Sequence, residues 1–308
     1  MIESYHKPVL LDEVLESLDL APGRTYCDAT LGDGGHSMAL LEHLPGEGNV
    51  VGIDRDVQAI ERAQQRLSFF RDRFRAINGN FSDIEQLLHD NGIAGVDGIV
   101  CDLGVSMLQI SDPSRGFMYS ADGPLSMRMQ VEGGLTAADI VNDFSEKEIA
   151  DIIYKYGEER QSRRIANAIV RERSKNRIES TGQLTAIIRS IVGERFVIKS
   201  LSRVFQSFRI YINDELGSLE RFLSDVLNVL NVGGRLAVIE YHSLEARLVK
   251  NFIYRETNPC TCPKNFPLCV CEKEPRIKVV HKLIKPGENE LKENTNSRSA
   301  RLRVIEKI

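Results

Sequence analysis

The stretch CDATLGDGGHS, Cys27 to Ser37, places Gly32, Gly34 and Gly35 beside the acids Asp28 and Asp33 in one turn. A glycine-rich turn between an apolar run and a helix lets a nucleotide-like ligand approach the backbone N–H groups. About twenty residues beyond Gly32, the run NVVGID ends in Asp54, the place of an acid that holds a ribose diol. Both NAD and S-adenosylmethionine carry such a ribose, so Asp54 alone does not choose between them. The turn discriminates: G-D-G-G-H lacks the third glycine of the dinucleotide fingerprint G-x-G-x-x-G. Asp28 and Asp33 also suit an ammonium better than a pyrophosphate. A purely structural turn is the alternative.

A second acid closes the run VDGIVCDL. Asp102 is followed by Gly104, Ser106 and Gln109, small or amide residues that would let a flat base approach. Strand ends of this kind border the ligand crevice of an open α/β sheet. Phe81, just after FRAIN, could pack on an adenine ring or serve the core. His242 and Ser243 in YHSLE would reach the same sheet edge, with His242 either in the chemistry or capping a helix. Cys260, Cys262, Cys269 and Cys271 form C-x-C-x6-C-x-C in a Pro-rich loop. Four thiolates could wrap a tetrahedral zinc, but reduced thiols are the expectation there, because the spacing is tighter than the common finger patterns. Cys27 and Cys101 lie within strand-like runs and read as core.

These residues need a frame. From residue 25 onward, TYCDATL, NVVGID, FRAIN and VDGIVCDL alternate with amphipathic stretches at Ser37–Leu44, Val57–Leu67 and Ile84–Asn91. This is the pattern of βαβ units in a doubly wound parallel sheet. The alternation stops from Gln109 to Ile212, where SEKE before IADIIYKY has capping-box spacing and TGQLTAIIRSIV has helical periodicity. An amphipathic helix from about Asn213 to Leu230 then leads through NVGG into GGRLAVIEY, a strand that resumes the sheet, and IKVVHKLI and ARLRVIEKI supply two more. The expected fold is therefore a Rossmann-like α/β domain over 1–108 and 213–308, with a helical insertion over 109–212.

A 308-residue chain with 42% hydrophobic and 27% charged residues has ample core for a globular protein. The N-terminus lacks the order of a signal peptide, and no apolar run is long enough to span a bilayer, so a cytoplasmic protein without a membrane partner is expected. The net charge of −4 argues against a general DNA coat. Local basic density is another matter: Arg160, Arg163, Arg164, Arg171, Arg173, Lys175, Arg177, Arg195, Lys199, Arg203 and Arg209 all fall in the helical block. They could meet phosphates or simply form solvated helix faces. RGFMY adds aromatics beside Arg115 that could stack on an extruded base or pack in the core.

Taken together, HKPVLLDEVL, DATLGDGGHS, GIDRD, DLGVS, RGFMYSADGPLSMRM, YGEER, RRIANAIV, FQSFRIYINDEL, GGRLAVIEYHSLEARLVK and NSRSARLRV resemble the RsmH (MraW) family over nearly the whole chain, in order. The resemblance implies a class I S-adenosylmethionine-dependent methyltransferase that modifies the N4 amine of a cytidine in the 16S RNA of the small ribosomal subunit. It implies that Gly34, Gly35 and His36 hold the cofactor at the turn, Asp54 the ribose, Phe81 the adenine, and Asp102 and Gln109 the crevice. Asp102, His242 and Ser243 become the catalytic candidates. Met107, Ser126, Glu240 and Ala246 depart from the family pattern, which leaves a shifted target or a non-catalytic relative as the competing readings. The sequence does not specify an oligomeric state.

Overall fold

The computed structural model describes residues 7–130, 133–262 and 270–308. The chain divides into two compact units, Met1–Gly104 with Gly217–Ile308, and Val105–Leu216. In chain order, the first unit contributes α1 (Leu11–Leu18), β1 (Thr25–Asp28), α2 (Gly35–His43), β2 (Asn49–Asp54), α3 (Val57–Arg66), β3 (Phe74–Asn78), α4 (Ile84–Asp90) and β4 (Val96–Asp102). The second contains α5 (Met107–Ser111), α6 (Ala137–Asp143), α7 (Glu146–Gly157), α8 (Ser162–Arg173), α9 (Thr181–Ile191) and α10 (Val197–Ile212). Then follow α11 (Glu215–Val229), β5 (Leu230–Glu240), α12 (Ser243–Thr257), β6 (Ile277–Ile284), α13 (Glu288–Glu293) and β7 (Arg301–Lys307).

The strands form one seven-stranded sheet in the order β3-β2-β1-β4-β5-β7-β6. Pairing is parallel from β3 to β5, and β7 runs antiparallel to both β5 and β6. Because successive strand residues face opposite sides, each apolar run feeds two cores. Tyr26, Val50, Val100, Ala237 and Ile239 pack with α1 and α2 on one face. Their neighbours Cys27, Val51, Cys101 and Val238 pack with α4, α11 and α12 on the other. Burial on both faces is why these strands read as continuous apolar runs rather than alternating ones. Cys27 and Cys101 are fully buried, and that burial pushes both thiols far above their ordinary pKa.

The helical unit has its own core, built from α6 to α10. Among the described residues, capping boxes start four of its helices, Ser106 with Gln109, Thr136 with Asp139, Ser145 with Glu148, and Ser180 with Gln183. Gly157 ends α7 where a Cβ would stand 2.5 Å from the Arg203 carbonyl oxygen of α10, so the close crossing of these helices requires glycine. Among the described residues, no helix is long and apolar enough to cross a membrane.

Two details differ from the sequence expectation. Strand β5 begins at Leu230, ahead of the GGRLAVIEY run, because Leu230 already pairs with Val96. The polar connection before the last strand contains α13, whose Glu290 Oε1 accepts the Leu10 N–H at 2.8 Å and ties down the N-terminal segment.

Glu240, one of the departures from the family pattern, is buried at the end of β5 against Arg303 of β7, with the guanidinium Nε 3.0 and 3.1 Å from its two oxygens. Burial outweighs the guanidinium and holds the Glu240 carboxyl above its usual range, so the pair specifies geometry more than it adds net stability. Glu240→Ala is expected to strand the buried Arg303 and destabilise the fold by about 3–5 kcal/mol in denaturant melts, whereas the double change Glu240→Met with Arg303→Met loses much less.

Candidate active site

The order β3-β2-β1-β4 makes the chain reverse its winding direction between β1 and β4, the place where open α/β sheets bind ligands beyond their strand ends. Asp28, Asp54 and Asp102 are the last residues of β1, β2 and β4. The fold thus brings together three of the acids that the sequence singles out.

Each acid is held by the backbone around it. Asp28 Oδ2 accepts the Ser37 hydroxyl at 2.8 Å, and its Oδ1 accepts the Thr30 N–H at 3.3 Å. Asp54 accepts the Gly32 N–H at Oδ2 and the Asp56 N–H at Oδ1, both at 2.8 Å. Its carboxylate therefore fixes the glycine turn as well as facing the strand edge. Thr30 links the first and third acids, because its Oγ1 also accepts the Asp102 N–H at 2.7 Å. Asp102 Oδ1 accepts the Tyr241 hydroxyl at 2.8 Å. Burial, the largest cause in each case, pushes all three carboxyls up to about 6. For Asp102 the neighbouring His36 and the Tyr241 bond work against this rise, while the Asp28 and Glu245 charges add to it.

The turn itself differs from the simplest expectation. Gly34 is needed for its left-handed backbone, φ +79°, and a Cβ there would press on Leu67 and Ala63 of the neighbouring segment. At Gly35 a Cβ would stand 2.6 Å from the Pro8 ring. These two glycines thus admit close packing of the protein on itself, as well as approach from the strand edge. Asp33, expected to face a cation, is met by Arg66, whose guanidinium lies 3.3 Å from its carboxylate. His36 is buried, and its Nε2 donates to the Val9 carbonyl at 3.1 Å.

Phe81 opens the turn after β3 and packs edge-on against Phe222, with ring centroids 5.4 Å apart, while remaining half-buried. Gln109 belongs to the helical unit, where its side chain closes a capping box with Ser106 at the start of α5. His242 is the N-cap of α12: its Nδ1 accepts the Glu245 N–H at 3.3 Å. The buried Nε2 lies 3.1 Å from Glu245 Oε1 without an aligned hydrogen bond. With Nδ1 engaged in the cap, the capping role is the one the geometry displays. Ser243 is exposed in the first turn of α12.

Two residues were missed by sequence reasoning. Tyr241 touches Asp102 directly, and Glu245 accepts the Tyr241 and His242 N–H groups at 2.8 and 3.2 Å, holding that segment in place. The signal was present in H-S-L-E, which has capping-box spacing with histidine as the cap. Of the cysteine set, Cys260, Cys262 and Cys271 have sulfurs within 4.8 Å of one another, and Cys269 lies outside the described residues.

The mixed sheet with its seventh strand antiparallel, and acids at the ends of β1, β2 and β4, defines a class I methyltransferase domain. The sequence pattern of the MraW methylase family matches residues 3–308, and the chain belongs to that family. It is 48% identical to a Carboxydothermus hydrogenoformans protein named ribosomal RNA small subunit methyltransferase H, covering 100% of this chain and 99% of the relative. A Geobacter sulfurreducens protein of the same name is 46% identical, covering 98% and 99%. Among solved structures, an rRNA methylase from Streptococcus thermophilus superposes with a TM-score of 0.43 at 13% identity over 99% of each chain.

The raised carboxyls have a consequence for the ligand-free protein. Their folded pKa exceeds the unfolded value, so their contribution to stability is present at low pH and is lost as pH rises from about 4 through about 6. Asp102→Asn is expected to raise ligand-free stability by about 1–3 kcal/mol at pH 8 and to change it little at pH 4. Chemical denaturation at the two pH values measures the difference.

Proposed function

We propose that the chain transfers the methyl group of S-adenosylmethionine to the N4 amine of a cytidine in the 16S RNA of the small ribosomal subunit, in the cytoplasm. The observation that carries this reading is the Asp102–Tyr241 pair at the switch point of the sheet, in a chain similar over its whole length to proteins named for small-subunit ribosomal RNA methylation.

The residues present fit the cofactor. Three desolvated carboxyls, Asp28 buried and Asp54 and Asp102 half-buried, form a region of negative potential suited to a ligand bearing an ammonium and a sulfonium. Asp54, with both oxygens anchored by backbone N–H groups, is the ribose acceptor. Gly34, Gly35 and His36 border the methionine end, and the half-buried Phe81 offers a ring edge to the adenine. When bound, S-adenosylmethionine supplies an electrophilic methyl group.

The protein's part in the chemistry is placement and proton control. Cytosine N4 is a weak nucleophile because its lone pair is delocalised into the ring, so orientation dominates the barrier. Tyr241 occupies Oδ1 of Asp102 and thereby presents Oδ2 as the acceptor of an amine N–H. An ionised Asp102 favours the pyramidal amine and can take up the proton released on transfer. His242 supports this edge by capping α12, which positions Tyr241. In the helical unit, Arg173, Arg203 and Arg209 are engaged with Val141, Glu159 and Glu215. The exposed Arg160, Arg163, Arg164, Arg195 and Lys199 are therefore the better phosphate contacts.

The test incubates the protein with labelled S-adenosylmethionine and unmodified small subunits and identifies the modified nucleoside by mass spectrometry. N4-methylated cytidine is expected; another methylated product, or none when cofactor binding is intact, overturns the reading. Asp102→Asn should lower turnover by about 10²-fold or more at saturating cofactor. Asp54→Ala should weaken cofactor binding by about 10-fold to 100-fold in calorimetry.

Because Asp102 must be ionised to accept, transfer should fall as pH drops below about 6. Tyr241→Phe removes a bond that favours the ionised carboxylate, so the acid limb of the rate profile should move to higher pH.

A further inference from the structure

We propose that Cys260, Cys262 and Cys271 form a structural zinc site in the connection between α12 and β6. Their Sγ atoms all lie within 4.8 Å of one another. A zinc–thiolate bond of about 2.3 Å gives a tetrahedral sulfur–sulfur edge of about 3.8 Å, and no pair among the three sulfurs exceeds that edge by more than about an ångström. Cysteine thiolates select zinc over the hard divalent cations, and three of them fix three corners of its tetrahedron.

A second observation points the same way. The Val270 backbone N–H is directed at Cys262 Sγ, 3.4 Å away. An amide N–H donated to sulfur stabilises the thiolate, the form that binds metal, and such bonds commonly orient the ligands of a metal site.

The surroundings explain what the ion would do. The chain leaves α12 and returns to β6 at one place, where the Arg276 N–H donates to the Glu256 carbonyl at 3.0 Å and the Arg276 guanidinium lies 3.6 Å from the Glu256 carboxylate. Beyond that clasp, residues 258–262 and 270–276 have no helix or strand, and Cys260 is exposed with Cys262 and Cys271 half-buried. None of the described residues 258–262 and 270–276 is buried, so a metal bridging the two arms would supply a constraint that apolar packing does not supply there.

The experiment is independent of methyl transfer, so the zinc assignment and the functional reading can fail separately. The full-length protein, purified under reducing conditions without a metal-affinity step, is analysed for bound metal by mass spectrometry. It is then exchanged into cobalt for absorption spectroscopy. One zinc per chain is expected, with the thiolate charge-transfer and ligand-field bands of tetrahedral cobalt after exchange. Cys260→Ser with Cys271→Ser should lose the zinc while far-ultraviolet circular dichroism shows the fold intact. Should that variant fail to fold, release of zinc from the unaltered protein on thiol-specific mercurial titration gives the same answer. Zinc far below one per chain after incubation with zinc chloride, zinc unchanged in the variant or on titration, iron or copper in its place, or a disulfide joining these cysteines would each overturn the proposal.

Discussion

Crowding negative charge into a desolvated strand edge is the constraint around which the larger unit is built. Asp28, Asp54 and Asp102 close three neighbouring strands, and burial, aided by nearby acids, leaves each carboxyl raised to about 6. Hydrogen bonds from Ser37, Thr30, Gly32, Asp56 and Tyr241 offset part of the desolvation. What remains is electrostatic strain, which a cationic ligand would relieve. A fold that stores such strain at one edge loses stability there and gains a preorganised site, since the dipoles already point where positive charge must sit.

That preorganisation extends beyond the acids themselves. Glu245 reaches back from the first turn of α12 to accept the Tyr241 and His242 N–H groups, and His242 in turn caps the helix. The same few residues therefore end β5, start α12 and aim the Tyr241 hydroxyl at Asp102. Thr30 performs the corresponding task on the other side by bridging the β1 turn to the Asp102 backbone. Asp102 is thus held from two sides at once, its backbone N–H by Thr30 in the turn after β1 and its carboxylate by Tyr241 just after β5.

Much of this was readable from the sequence because both-face burial makes parallel strands conspicuous: NVVGID and FRAIN became β2 and β3 with unchanged bounds. The capping box at Ser145 was equally legible, since its chemistry is local. Tyr241 was not, because its importance comes from a hydrogen bond to a residue 139 positions away, and no local pattern encodes that pairing. Asp33 misled for a related reason: an acid in a ligand-binding turn looks available until Arg66 from the next helix is seen against it. Gln109 was readable in the same way as Ser145, since S-M-L-Q has capping-box spacing, and its Oε1 accepts the Ser106 N–H at the start of α5.

The departures from the family pattern can be weighed by the same physics. Glu240 follows strand β5 into a buried position where Arg303 meets it, so that change is tied to a structural partner and leaves the Asp102 contact untouched. Ala246 is buried in the first turn of α12, where a small apolar side chain packs without an unsatisfied charge. Ser126 accepts a hydrogen bond from Arg128 Nε at 3.3 Å within the helical unit. Nothing in the structure explains Met107. Two of the four changes therefore sit in the framework behind the strand edge, and neither removes a group that holds the three acids. Sequence difference near a motif is a poor measure of lost chemistry when the altered side chain points into the core, because what the proposed mechanism asks for is the position of Asp102 and Tyr241, and the hydrogen bonds that hold those two residues are intact.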